Sequence, residues 1–433
     1  SRNVKIQSNV FENDLFAVDG SKHILLDTRW WNNPPNLVAQ NNIPNEVQIL
    51  DNQFRANNST ANKVDAVVVK NTFGQQVSGG QPYLSPGFSS ITIGQTTTRN
   101  QFNQELRSFV KLDTAVVNQI DATENNFQVA DNFELEDKVI HALDNIQTGT
   151  VRSVKGNWYI TNTDTTQNTV IGRGVANAAV NDTVNVRSVV TDSVYHENLT
   201  ITIPMMIRGF GLPTITDTSL TLGVTSAVVT VTGSNARNVT LDGIRIFNDQ
   251  SYTLKGVYAD NGADSLTIRN SVFNTSLNDI VANFQTKNAI HVATPAWVHL
   301  HQNQIVGKDI DASAGIANAK TTGWGRAIWL QNASGLITDN YFENYGGRDV
   351  LSQFANTRLT VTENLFHGGG LDVTEPLGDS VLVKRNQFFV LDSTTSITPS
   401  TLNLTTNLCN LLIKKSDANT ISWVEENYFK NHY

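Results

Sequence analysis

The sequence predicts an all-β solenoid in two consecutive modules, on three observations. A short phrase recurs twelve times: an alternating apolar start, an Asn or its stand-in, then Phe or Ile two residues later. The interval between recurrences within a series runs from 19 to 43 residues, which suits turns of near-constant core with loops of free length. The series breaks after Phe127 and restarts before Ile246. A repeat of this kind cannot bury its apolar face alone, so stacking neighbours must supply the core.

The first series is VKIQSNVF ending at Phe11, VQILDNQF at Phe54, AVVVKNTF at Phe73, TTTRNQF at Phe102 and IDATENNF at Phe127. The second is VTLDGIRI ending at Ile246, LTIRNSVF at Phe273, VHLHQNQI at Ile305, GLITDNYF at Phe342, LTVTENLF at Phe366, VLVKRNQF at Phe388 and SWVEENYF at Phe429. Each phrase alternates apolar and polar residues and is rich in β-branched ones, the pattern of a strand with one face inward. Helical repeats are excluded by that period of two.

On these phrases the chain resembles the right-handed parallel β-helix proteins of the pectate-lyase-like superfamily, whose coils carry an inward Asn at a bend followed by a stacked aromatic or aliphatic residue. The matching positions are Asn9, Asn52, Asn71, Asn100, Asn125, Asn303, Asn340, Asn364, Asn386 and Asn427, with Ser271 and Ile244 in two exceptional coils. At such a bend backbone amides leave the sheet ladder, and a column of Asn side chains can bond them and one another, so the column reads as structural rather than as a binding site.

A second stretch, Asn181 to Ile201 followed by Met205 to Thr216, resembles the opening coils of many members of that superfamily, with Asn181 where Gly is usual. It stands mid-chain and divides the protein. Residues 1–133 read as the last coils of one β-helix, 134–175 as cap and connector, and 176–433 as a second β-helix. Leu135, Val139, Ile140 and Leu143 have a helical spacing suited to a cap over an open coil end. Thr150 to Asn162 reads as extended. Because the phrases begin within a coil, the expected parent is a longer surface polypeptide.

Charged residues make up 16% of the chain and the net charge is −8. That leaves no basic surface for nucleic acid or anionic lipid. No apolar run is long enough to span a bilayer. The single cysteine, Cys409, stands in an apolar run and reads as a small core residue, so no disulfide framework is available. Extracellular or cell-surface placement is the expectation.

The fold invites catalysis, but the residues do not supply the superfamily's motifs. The paired-Asp and His-Gly motifs of polygalacturonase-like hydrolases are missing. Lyases need an Arg or Lys base beside Ca²⁺ or another group that neutralises a carboxylate, and the repeat alignment absorbs the one faintly similar strand, Trp297 to Asn303. No cofactor is indicated, and no spacing fixes Ca²⁺, including at Lys308 to Gly315. A polar patch gathers Arg348, Asp349, His367, Asp372, Glu375 and Asp379 and reads as solvated loop.

Strand register supplies the candidate site. In the second series a short strand precedes each repeat aromatic, and its middle residue should point outward. These residues are Tyr258, His291, Trp329, Leu351 and Asp372. Stacked coil on coil they form one external ladder, on a face that in the resembled superfamily forms a carbohydrate groove. Two aromatics near a His and an Asp suit a sugar ring. Trp324 and Arg326, in the turn just before, add to that face; Trp30 and Trp31 serve either a surface or a core edge.

The expected function is a non-catalytic extracellular β-helix segment of a large surface or adhesive protein, a rigid spacer with a glycan-contacting face, whose partners are a glycan or neighbouring copies. The alternatives are a polysaccharide lyase or glycoside hydrolase acting on an acidic polysaccharide, and a phage tailspike-like trimeric fibre.

Overall fold

The structure, a computed structural model, describes residues 3–13, 19–27, 46–57, 63–70, 88, 90–113, 116, 119–145, 147–161, 170–188, 194–217, 227–248, 255–275, 288–307, 326–343, 349–355, 358–367, 370–374, 376, 380–389, 411–414 and 421–430. It divides into two units, Ser1–Asn177 and Ala178–Tyr433. In each, the chain visits three parallel sheets in turn and returns to the first, which is a parallel β-helix.

In the first unit one sheet stacks Asn3–Gln7, Glu46–Leu50, Ser90–Ile93, Gln119–Asp121 and Thr150–Arg152. The next stacks Val10–Asn13, Gln53–Ala56, Gln101–Phe102 and Asn126–Phe127, and the third Ser21–Asp27, Val64–Lys70, Ser108–Leu112 and Val139–Ile140. Phe11, Phe54, Phe102 and Phe127 form one stack with centroid steps of 5.1, 4.8 and 5.1 Å. Phe54 and Phe102 are fully buried, while Phe11 and Phe127 at the ends are half-buried.

Two expectations need correction here. The phrase ending at Phe73 is not a repeat of the same kind, because its strand, Val64–Lys70, pairs with Ser21–Asp27 and Ser108–Leu112 in the third sheet. Val64 through Val69 are all buried, so this strand is covered on both faces and lacks true alternation. The Asn column passes directly from Asn52 to Asn100; Asn71 and Phe73 lie outside the described residues. The cap helix is also shorter than its periodicity suggests. It spans Asn132–Asp137, with Asp131 capping the amides of Phe133 and Glu134. Val139 and Ile140 instead ladder onto Val110 and Lys111, and Thr150–Arg152 onto Gln119–Asp121. Lys138 ends the helix and sends its ammonium to the carbonyls of Gln104 and Leu106, which commits the chain to one more coil.

In the second unit sheet I runs from Thr183–Arg187 through Met206–Phe210, Val239–Asp242, Ser265–Arg269, Trp297–His301, Ser334–Thr338, Arg358–Thr362 and Ser380–Lys384 to Ile421–Glu425. Sheet II runs from Val194–His196 to Tyr428–Lys430, and sheet III from Leu199–Ile201 to Leu411–Lys414. The repeat positions are in direct register: Ile246, Phe273, Ile305, Phe342, Phe366, Phe388 and Phe429. The first six are fully buried and only Phe429, in the last strand of sheet II, is exposed (44%). Ring centroids from Phe342 to Phe429 step by 4.8, 4.6 and 4.9 Å, so each ring stacks on the next as well as removing apolar area from water.

The bend between sheets I and II explains the Asn. The residue before it takes a left-handed backbone, as at Asn270, Gln302, Asp339, Glu363, Arg385 and Glu426. The next amide therefore leaves the ladder and needs another acceptor. Each Asn Oδ1 accepts the backbone N–H and the Nδ2–H of the Asn one coil earlier, as Asn364 does for Asn340 at 3.0 Å each. Each Nδ2 also donates to a carbonyl of the preceding coil, as Asn364 does to Ile337. The same bonds run from Asn303 to Asn427, and Ser271 joins by donating its amide to Asn303 Oδ1. Asn181, at φ 67°, holds the turn where Gly was the resembled residue.

Candidate functional site: the outer face of sheet III

Four central strands of sheet III are Lys255–Asp260, Asn288–Val292, Arg326–Gln331 and Val350–Gln353. Val257, Ile290 and Ile328 point into the core, which turns Tyr258, His291 and Trp329 outward in mutual register, followed by Leu351 and Asp372. The expected external ladder is therefore present as a register column.

The column is more tightly packed than expected. The rings of Tyr258 and His291 lie 5.2 Å apart at 44°, and those of His291 and Trp329 lie 4.3 Å apart at 2°. Tyr258 and Trp329 remain half-buried. His291 and Asp372, expected to be exposed, keep only 6% and 1% of their surface. His291 is covered on both ring faces by its neighbours. Asp372 lies between Leu351 and Leu412, with Oδ1 accepting the Thr374 hydroxyl at 2.8 Å.

Each outer aromatic carries a cation. Lys255 Nζ stands 3.5 Å from the Tyr258 ring centroid, and Arg326 Cζ 4.8 Å from that of Trp329. Lys255, Asn288 and Arg326 share one register position, three residues before the aromatic. The sequence shows this as KGVY, NAIH and RAIW, so the offset alone signals Lys255 and Asn288 as well as Arg326. Arg326 is half-buried, whereas Lys255 and Asn288 are buried. Burial holds the Lys255 ammonium below its ordinary pKa, with Asp260 opposing.

Electrostatics fix the protonation of the ladder. Desolvation brings the His291 pKa down to about 4, helped by the nearby Lys255 and Arg326 charges. The imidazole is thus neutral at physiological pH. Nε2 lies 2.9 Å from Gln331 Oε1; that oxygen only accepts, so Nε2 carries the proton and Nδ1 is a bare, buried lone pair with no hydrogen-bond partner among the described residues. Burial raises the Tyr258 phenol, and the hydrogen-bonded Asp260 adds to the shift. Trp329 Nε1 donates to Gln353 Oε1 at 2.9 Å. Gln331 and Gln353, one outward position beyond the aromatics, thus orient the rings, a role that nothing in the repeat pattern signalled.

The expected solvated patch divides. Arg348, Glu375 and Asp379 lie outside the described residues, as do Trp324, Trp30, Trp31 and Cys409. His367 is half-exposed. Asp349 is fully buried, contrary to the loop expectation, and neither carboxyl oxygen has a hydrogen-bond partner among the described residues. Burial raises its pKa well above the carboxylate range. It occupies the position held by Gly256, Ala289 and Ala327 in the preceding coils. At Gly256 a Cβ would come 2.5 Å from the Ala289 carbonyl oxygen and 3.3 Å from Phe273, which places this column at the core. Among the described residues no group of three or more His, Cys, Asp or Glu could hold a metal ion, and no helix is long and apolar enough to cross a membrane.

No family model matches the chain, and no curated protein matches it by sequence. Among solved structures it is similar to a PL6 family alginate lyase, AlyGC, at 11% identity and a TM-score of 0.34, over 98% of this chain and 69% of that one. A likeness at that level carries no argument about residues or activity.

Proposed function

We propose that the second unit is an extracellular glycan-contacting β-helix, which holds an acidic sugar chain along the outer face of sheet III and serves a larger surface protein as a rigid spacer. The observation that carries this reading is the pair of cation-bearing rings, Lys255 on Tyr258 and Arg326 on Trp329, two coils apart in one register column. A guanidinium suits the carboxylate of an acidic sugar, and the partly exposed rings beside it offer apolar surface to the sugar's C–H groups. Strand spacing sets the two rings roughly 9.6 Å apart, about the span of one disaccharide. The half-buried members, Tyr258, Arg326 and Trp329, make the contacts, and buried His291 sets the distance between them. A glycan array followed by calorimetry tests this: binding of uronate oligosaccharides over neutral ones is the expected result, and absence of all binding would overturn it.

A second reading, cleavage of the same polymer by a lyase, is favoured by one observation, the bare Nδ1 of neutral His291, which has the protonation state of a general base. Against it, that nitrogen is buried, whereas a base acting on a polymer must face it. Absorbance of unsaturated products from polyuronates separates the two readings: the spacer predicts none, and turnover abolished by His291→Ala would establish the lyase.

A further inference from the structure

We propose that His299 and His301 form a two-imidazole site for a borderline divalent transition metal, Zn²⁺, Ni²⁺ or Cu²⁺, on the outer face of sheet I. Both stand on the strand Trp297–His301, where Val298 and Leu300 are fully buried. Residues 297, 299 and 301 therefore project together from the other face. The two rings lie 4.7 Å apart at 24°. Metal–nitrogen distances near 2.0–2.1 Å would require the two ring nitrogens to converge, and side-chain rotation of partly exposed rings can bring this about. Neither ring has a hydrogen-bond partner among the described residues, so no lone pair is already committed.

Metal binds the neutral imidazole, so the charges around the two rings matter. The Arg269 guanidinium, in register with His301, is bonded to Asp242 at 2.9 Å, which offsets its repulsion of an incoming cation. The other register neighbours are Thr267 and Leu336 beside His299, and Thr338 beside His301; none is charged. Two protein ligands leave the remaining coordination positions to water, and imidazole nitrogen selects Zn²⁺, Ni²⁺ or Cu²⁺ over Ca²⁺ or Mg²⁺.

Trp297 supplies a local reporter. It is 48% exposed and projects from the same face two residues from His299, close enough for bound Cu²⁺ or Ni²⁺ to quench its fluorescence. The test titrates the untagged full chain at pH 7.5 with each metal chloride by calorimetry and fluorescence. The expected result is one site per chain, with affinity falling at least tenfold in His299→Ala and in His301→Ala but unchanged in His367→Ala. Quenching should largely vanish in Trp297→Phe, and binding should weaken in acid, since a ligating imidazole nitrogen must be free of its proton. Ca²⁺ should not compete. Affinity and quenching unchanged in the folded His299→Ala, His301→Ala double variant would overturn the site, as would no binding by the parent chain. Glycan binding through sheet III is unaffected by either outcome.

Discussion

The imidazole of His291 lies flat on the indole of Trp329, 4.3 Å between centroids and 2° from parallel. A neutral imidazole is the partner that this geometry needs, since its flat, uncharged ring can be desolvated at small cost whereas an imidazolium cannot. The stack makes His291 a structural part of the outer face, and the Arg326 guanidinium stands over the same indole, 4.8 Å from its centroid. The consequences can be measured.

Acid should loosen the face. With a folded pKa of about 4 against 6.5 for a free imidazole, His291 binds its proton more readily in the unfolded chain. Stability attributable to it is complete above pH 6.5 and is lost as pH falls toward 4, on the order of 3 kcal/mol. Urea denaturation across this range should show the parent losing on the order of 3 kcal/mol more than His291→Gln as the pH falls toward 4.

Asp349 has the opposite sign. Its folded pKa is raised, so the unfolded chain gives up the proton first and stability falls as pH rises above about 4. Asp349→Ala, which restores the small residue of Ala289 and Ala327, should raise the melting temperature at pH 7 and do so less at pH 4. A lower melting temperature at pH 7 would show that the carboxyl has a partner which stabilises it.

Phe342→Ala should cost about 3–5 kcal/mol through lost burial and a cavity between Ile305 and Phe366. Phe429→Ala, at the exposed end of the stack, should cost much less. Equal losses by chemical denaturation would contradict the column.

Asn364→Ala should be costly although it removes little volume, since it strands the amide of Asn340 and the Ile337 carbonyl. Each buried group left unpaired costs about 1–3 kcal/mol. Hydrogen exchange should quicken at the Asn340 amide before other amides of the same coil.

The fold was legible because its cause is local and repeated. One αL residue, one Asn and one stacked ring per coil suffice to define the bend, and all but the αL residue are visible as letters. The phrase ending at Phe73 misled because Val64–Lys70 is buried on both faces, so its apparent alternation carries no facing information. Val139 and Ile140 misled because four apolar residues fit a helical spacing and a strand–turn pattern equally well. At the site, register located Tyr258, His291 and Trp329, since side-chain direction follows strand parity. Burial of His291 and Asp372 was not legible, because it depends on what neighbouring coils place above and below them. The offset of Lys255 from Tyr258 is legible as KGVY beside RAIW, but its contact with the Tyr258 ring depends on packing that the letters do not show.

The most direct test of the central claim is calorimetric binding of a defined uronate oligosaccharide to the parent chain and to the Trp329→Ala, Arg326→Gln double variant, with folding verified by circular dichroism. A ring stack is worth about 1–3 kcal/mol by analogy with aromatic stacking on bases, so the account predicts at least a tenfold loss of affinity and a weaker salt dependence. Undiminished binding by the folded double variant would contradict it.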